Sequence, residues 1–135
     1  FHVPAALASG LWQFHQDGSS LRDQGRRHME QGRLAEARQA FEEGLRRFPQ
    51  GVASDHTWFD LALTYHQQGR WSQAALVLET LRERFPDSVL LPETLYYLAL
   101  ARHNGGDQAG AGDLWRELKR RFPDSDWSGR VPAGP

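Results

Sequence analysis

WFDLALTYHQQGRWSQAALVLETLRERFP, residues 58–86, holds two helical periods separated by a glycine and closed by a proline. Trp58, Leu61, Ala62 and Tyr65 fall at i, i+3, i+4 and i+7, which puts them on one face of a helix. After Gly69 the set Trp71, Ala74, Ala75, Leu78 and Leu81 resumes the same period. Gly69 can adopt the left-handed conformation that a C-terminal cap needs, and a helix does not run easily into Phe85-Pro86. The stretch therefore reads as two helices with a tight turn between them.

The same punctuation recurs on both sides. Phe48-Pro49, Phe85-Pro86 and Phe122-Pro123 are spaced by 37 residues, and Gly32, Gly69 and Gly106 keep the same interval. Ala37, Ala74 and Ala111 form a column of small residues suited to a close helix crossing. Phe41, Leu78 and Trp115 form a large apolar column, and Leu21, Trp58 and Leu95 form another. The spacing predicts helices over 19–31, 34–47, 55–68, 71–84, 92–104 and 108–121, with Pro92 in a first turn where its missing N–H is harmless. These make three units, 19–49, 55–86 and 92–123, within a domain of residues 19–124.

This pattern resembles the tetratricopeptide repeat. A large residue opens the first helix, Leu-Ala follows (Leu61-Ala62, Leu98-Ala99), then an aromatic a turn later (Tyr65), then Gly, Ala, a bulky residue and a final Pro. The first unit departs from it, with Gln24-Gly25 in place of Leu-Ala and His28 at the aromatic position, and the third places Arg102 there. The resemblance implies an all-α fold, a right-handed solenoid of three helical hairpins. Standard repeats have about 34 residues, and the extra ones here follow Phe-Pro. The run Arg84 to Ser88, followed by Leu91-Pro92-Glu93-Thr94-Leu95-Tyr96-Tyr97-Leu98, looks like the repeats of bacterial periplasmic Tol-Pal coordinator proteins and of outer-membrane assembly lipoproteins. That resemblance implies a periplasmic or envelope-associated protein, with the cytoplasm as the alternative.

Outside the repeats, residues 1–18 form an N-terminal segment in which Pro4 to Gln16 could supply one more helix, carrying Leu7, Leu11, Trp12 and Phe14. Residues 125–135 lack a helical period and read as an extended or frayed tail. Because each solenoid unit buries its apolar face against the next, the last helix is expected to be open around Leu114, Trp115 and Leu118. Either Trp127 folds back over it or another chain covers it.

Composition narrows the function. The 135 residues carry a net charge of −1, so no basic field favours nucleic acid. No apolar run approaches the roughly 20 residues that span a bilayer. With no cysteine there are no disulfides, thiolate nucleophiles or Cys-type metal sites. The chain starts at Phe1 with no visible leader, as expected of a processed protein or a fragment. The six histidines show no i, i+4 pair on one helix and no His-Glu-x-x-His, so no metal is expected. With no phosphate loop and no nucleophile elbow, neither an enzyme nor a cofactor is expected.

By comparison with the family, the outward positions of the first helices line a concave groove. They are Arg22, Arg26 and Met29, then Phe59, Leu63 and His66, then Tyr96, Leu100 and His103, with His56 and Glu93 at the entrances. Such a groove grades from cationic to aromatic and suits a peptide with an acidic end and apolar side chains. It could instead be filled by the N-terminal segment. The carboxylate clamp of chaperone-binding relatives is not implied: Leu63 stands where Asn is needed, and Glu93 and Tyr97 where Lys and Arg are needed. Arg46-Arg47, Arg82 with Arg84, and Lys119-Arg120-Arg121 lie in last turns, where cations complement the helix dipole. The expected function is a non-catalytic adaptor for a protein or peptide. The alternative is a structural subunit docked through its end face at Leu114, Trp115, Leu118 and Trp127.

Overall fold

The computed structural model of the chain describes residues 19–51 and 53–132. Among them run seven helices: α1 (Ser19–Glu30), α2 (Leu34–Arg47), α3 (Ser54–Gln67), α4 (Trp71–Arg84), α5 (Leu91–Asn104), α6 (Gln108–Arg121) and the short α7 (Asp126–Gly129). The first six differ from the spacing-derived ranges by at most a residue at either end. The helix expected over Pro4 to Gln16 lies outside the described residues.

Each hairpin turns on its glycine. Gly32, Gly69 and Gly106 have φ of 74°, 71° and 95°. The next residue bonds back into the helix: Arg33 N–H to His28 at 2.8 Å, Arg70 to Tyr65 at 2.9 Å and Asp107 to Arg102 at 2.8 Å. This closes otherwise orphaned carbonyls at the helix end. The alanine column sits where the two helices of each pair cross, and Ala37, Ala74 and Ala111 are 0%, 0% and 1% exposed. Phe41, Leu78, Leu81, Leu95, Leu98 and Leu118 are also sealed in this core.

Adjacent units are joined by polar bridges as well as by apolar packing. Tyr65 Oη donates to Glu42 Oε2 at 3.0 Å, Ser88 Oγ to Asp55 Oδ2 at 2.6 Å, Arg102 Nη2 to Glu79 Oε1 at 3.1 Å and Arg82 Nη2 to Glu117 Oε2 at 3.1 Å. The basic last turns are mostly engaged within the fold. Arg47 and Arg121 lie 5.3 Å over the rings of Phe48 and Phe122, and Arg84 lies 5.6 Å over Trp58.

The C-terminal segment corrects the expectation of a frayed tail. Ser125 caps α7, its Oγ accepting from Trp127 N–H at 3.2 Å. Ser128, 6% exposed, donates from Oγ to the carbonyls of Phe122 at 2.5 Å and Leu118 at 3.2 Å. A helix of four residues is too short to leave an apolar period in the sequence.

Candidate functional site

The first helices α1, α3 and α5 follow one another along the array and repeat their side-chain columns. Arg22, Phe59 and Tyr96 occupy one column; the first two face the following unit, and Tyr96 faces α6 and α7. Arg22 Nε donates to Asp60 Oδ2 at 3.1 Å, and Arg26 Nη1 lies 3.6 Å from the same oxygen. One unit on, Phe59 meets Tyr97 edge-on at 5.7 Å between ring centroids. Tyr96 packs against Trp115 at 5.3 Å and Trp127 at 5.1 Å. Arg22 and Phe59, expected to line an open groove, form joints between units, and Tyr96, expected there too, packs against the closing helices α6 and α7. Phe59 retains only 7% exposure.

Both arginines expected to greet an acidic ligand are thus turned toward Asp60. Burial pushes the Asp60 carboxyl above the usual carboxylate range, more than Arg22 and Arg26 pull it down. Arg26 remains half exposed at its side chain, 51%, and keeps N–H groups to offer a ligand. Arg22 is more enclosed, at 22%.

His66 and His103 share another column that faces the next unit. The His66 ring stands edge-on to Trp71 at 5.0 Å and to Tyr97 at 5.4 Å. Burial lowers its pKa from the ordinary 6.5, and its Nδ1 is buried with no hydrogen-bond partner among the described residues. His103 has no following unit to meet and is exposed, lining a cleft at the end of the array. Met29, in the same column, is half-buried against the core.

The expected groove positions that keep some exposure on the first helices include exposed Arg26 and partly exposed Leu63 and Leu100, one repeat apart, with half-buried Tyr96 and Tyr97 beside them. The rim carries a second repeated column: His56, Glu93 and Arg130. Burial raises the Glu93 pKa, while His56 and Arg130 act in the opposite sense. Burial alone would also raise Asp55, but bonds from Ser88 and His56 hold its carboxyl below the usual range.

Sequence reasoning missed Asp60, which pairs with both arginines, and the role of Arg130, which lies 4.3 Å over the Trp127 ring. The available signal was the period itself: Asp60 stands 37 residues before Tyr97, and Arg130 stands 37 after Glu93. Of the two coverings expected at the end face, the described residues show the first, Trp127 folded back. Leu114 and Leu118 are 7% and 0% exposed and Trp127 folds back onto Tyr96 and Tyr97, while a cleft beside Trp115 on α6 stays open. Trp115 and Trp127 remain half-buried. Among the described residues no group of three or more His, Cys, Asp or Glu is placed to hold a metal ion. None of the described helices is long and apolar enough to cross a membrane.

The comparisons agree with this geometry. No curated protein matches the sequence. The fold is similar to the N-terminal domain of stress-induced protein-1 (STI-1) from C. elegans, with a TM-score of 0.72 and 13% identity, covering 84% of this chain and 91% of that one. At that identity the likeness is one of fold. The tetratricopeptide repeat profile matches twice, over residues 22–89 and 59–126. With three glycine-hinged helix pairs stacked in one register and that profile spanning all of them, the chain belongs to the tetratricopeptide repeat family.

Proposed function

We propose that this protein is an adaptor of the bacterial cell envelope, which binds a protein or peptide partner through the inner surface of its first helices. The fold supports the coarse part of this reading, since tetratricopeptide repeats mediate protein–protein contact and are typically non-catalytic scaffolds. The observation that carries the site is the open column of Arg26, Leu63 and Leu100 beside Tyr96 and Tyr97. Half-exposed apolar side chains at repeat spacing supply area to an extended or helical ligand, and Arg26 can fix an acidic group. The envelope setting rests on the Arg-Phe-Pro-Asp-Ser connection and the Pro-led aromatic helix at Leu91 to Leu98.

A photo-crosslinker at Leu63, introduced in the native host and followed by fractionation and mass spectrometry, tests both parts. An adduct with one envelope protein, lost in Leu100→Glu, is the expected result. Adducts at Trp115 with none at Leu63 would replace the groove with the alternative, a structural subunit of an envelope complex docked by its end. A chain recovered in the cytoplasm would remove the envelope setting.

A further inference from the structure

We infer that the end of the array is a second docking site, distinct from the inner surface, which takes an amphipathic helix of another polypeptide bearing a carboxylate opposite Arg116. Gly51 N–H bonds to Phe48 and Ser54 N–H to Gly51; Ser88 bonds to Phe85 and Leu91 to Ser88; Ser125 bonds to Phe122 and Ser128 to Ser125, all at 3.0–3.2 Å. Ser54 Oγ reaches the Phe48 carbonyl just as Ser128 Oγ reaches that of Phe122. Helix α7 is therefore the opening turn of a fourth first helix. It ends at Gly129, and Pro132 falls where Trp58 and Leu95 stand inside α3 and α5. A proline there removes the backbone donor of the next helical bond and clashes with the preceding turn.

Among the described residues that helix has no later half, and earlier units show what such a half does. Arg102 of α5 bonds to Glu79 of α4, and Tyr65 of α3 bonds to Glu42 of α2. Gly105 comes so close to α4 that an added Cβ would sit 3.7 Å from the Trp71 Cβ. In each case a donor on the arriving helix meets a carboxylate on the second helix before it. Among the described residues no such helix reaches α6. A cleft of about 530 Å³ remains, lined by His103, Ala109, Gly112, Trp115, Arg116 and Lys119, with Val131 and Pro132 at its mouth.

Charge selects the occupant. Arg116 stands where Glu42 and Glu79 stand in the other units, so the sign of the bridge is reversed. Its only ion pair among the described residues is with Asp113 of the same helix, where both side chains are about three-quarters exposed. Lys119 has no ion pair among the described residues. Ala109 and Gly112 let a helix backbone approach, and Trp115 offers it an apolar floor. A second copy stacking its α1 here would present His28 at the Tyr65 and Arg102 position, with Arg27 beside it, and so bring no carboxylate to Arg116 there. An arriving helix with Glu or Asp at that position satisfies the site.

The test is a charge swap, with a helix-stabilised synthetic peptide of the α5 sequence, Leu91 to Asn104, carrying Arg102→Glu. It should bind the wild-type protein at least about threefold more tightly than the unaltered α5 peptide. In Arg116→Glu, whose side chain is exposed enough to change without unfolding the protein, the preference should invert. Ala109→Trp should fill the cleft and abolish binding of both peptides, with circular dichroism unchanged. The inference is overturned if neither peptide binds, or if binding ignores Arg116. It is also overturned if binding is lost in Leu63→Glu and kept in Ala109→Trp, since the peptide would then occupy the inner surface. That last outcome would leave the groove reading intact.

Discussion

Gly25 shows how one residue can break a repeat pattern without breaking the fold. It replaces the alanine found at Ala62 and Ala99, because the facing large residue in this unit is Phe41. A Cβ at Gly25 would lie 2.7 Å from Cδ1 and Cζ of that ring, and Phe41 is 0% exposed, with no open side to move into. Overpacking of this kind costs about 1–3 kcal/mol, while alanine recovers up to about 1 kcal/mol of helix propensity. Gly25→Ala should therefore lower stability by about 1 kcal/mol or more in urea melts. Adding Phe41→Leu recreates the Ala62–Leu78 pair and should return much of the loss. An additive double mutant would refute the coupling. His66 gives the second prediction at this scale. Its folded pKa lies below the ordinary 6.5, so near and below that pH the unfolded chain binds the extra proton. The stability it contributes is complete above 6.5 and lost as pH falls toward the folded value. Protonation would also put a donor on a buried Nδ1 with no acceptor. Melting temperature should fall between pH 7.5 and 5.5, and His66→Gln should flatten that fall. An equally steep fall in the variant would clear His66 of the effect.

At the scale of elements, the long helices were legible because their apolar faces repeat over several turns and glycine and proline mark their ends. α7 was not, because a four-residue helix carries no period, although Ser125 caps it and the turn before it copies two earlier ones. The groove was only partly legible. Period assigns Arg22, Phe59 and Tyr96 to one column, but column membership does not say whether a side chain faces solvent or the next helix. That depends on what stands across the joint: Asp60 for Arg22, Tyr97 for Phe59 and Trp127 for Tyr96. The chemistry of the joints therefore drifts from ionic to aromatic along the array. Leu63 and Leu100 share a column with Arg26 and stay partly exposed, although Leu63 also packs against the core.

At the scale of the molecule, each unit touches mainly its neighbours, so local stability should follow position in the array. The middle pair, α3 and α4, is braced on both sides. Arg22 and Glu42 reach it from the first unit, and Arg102, Ser88 and Glu117 reach it from the third. Among the described residues the third unit is braced on its far side by α7, through Trp127 and Ser128, with Val131 also against the core. Native-state hydrogen exchange should find the slowest amides in α3, α4 and the first turns of α5, with those of α6 opening earlier. Trp127→Ala removes ring contacts to Tyr96 and Tyr97 and should speed exchange in α5 and α6 while leaving α2 nearly unchanged. Uniform acceleration throughout would mean that the array opens as one cooperative block. Acceleration confined to the third unit would place α7 as its clasp. The same variant reports on the end cleft, since Val131 and Pro132 at its mouth follow Trp127 in the chain. A loosened clasp should therefore weaken helix docking at Arg116 before it affects ligand contact at Leu63.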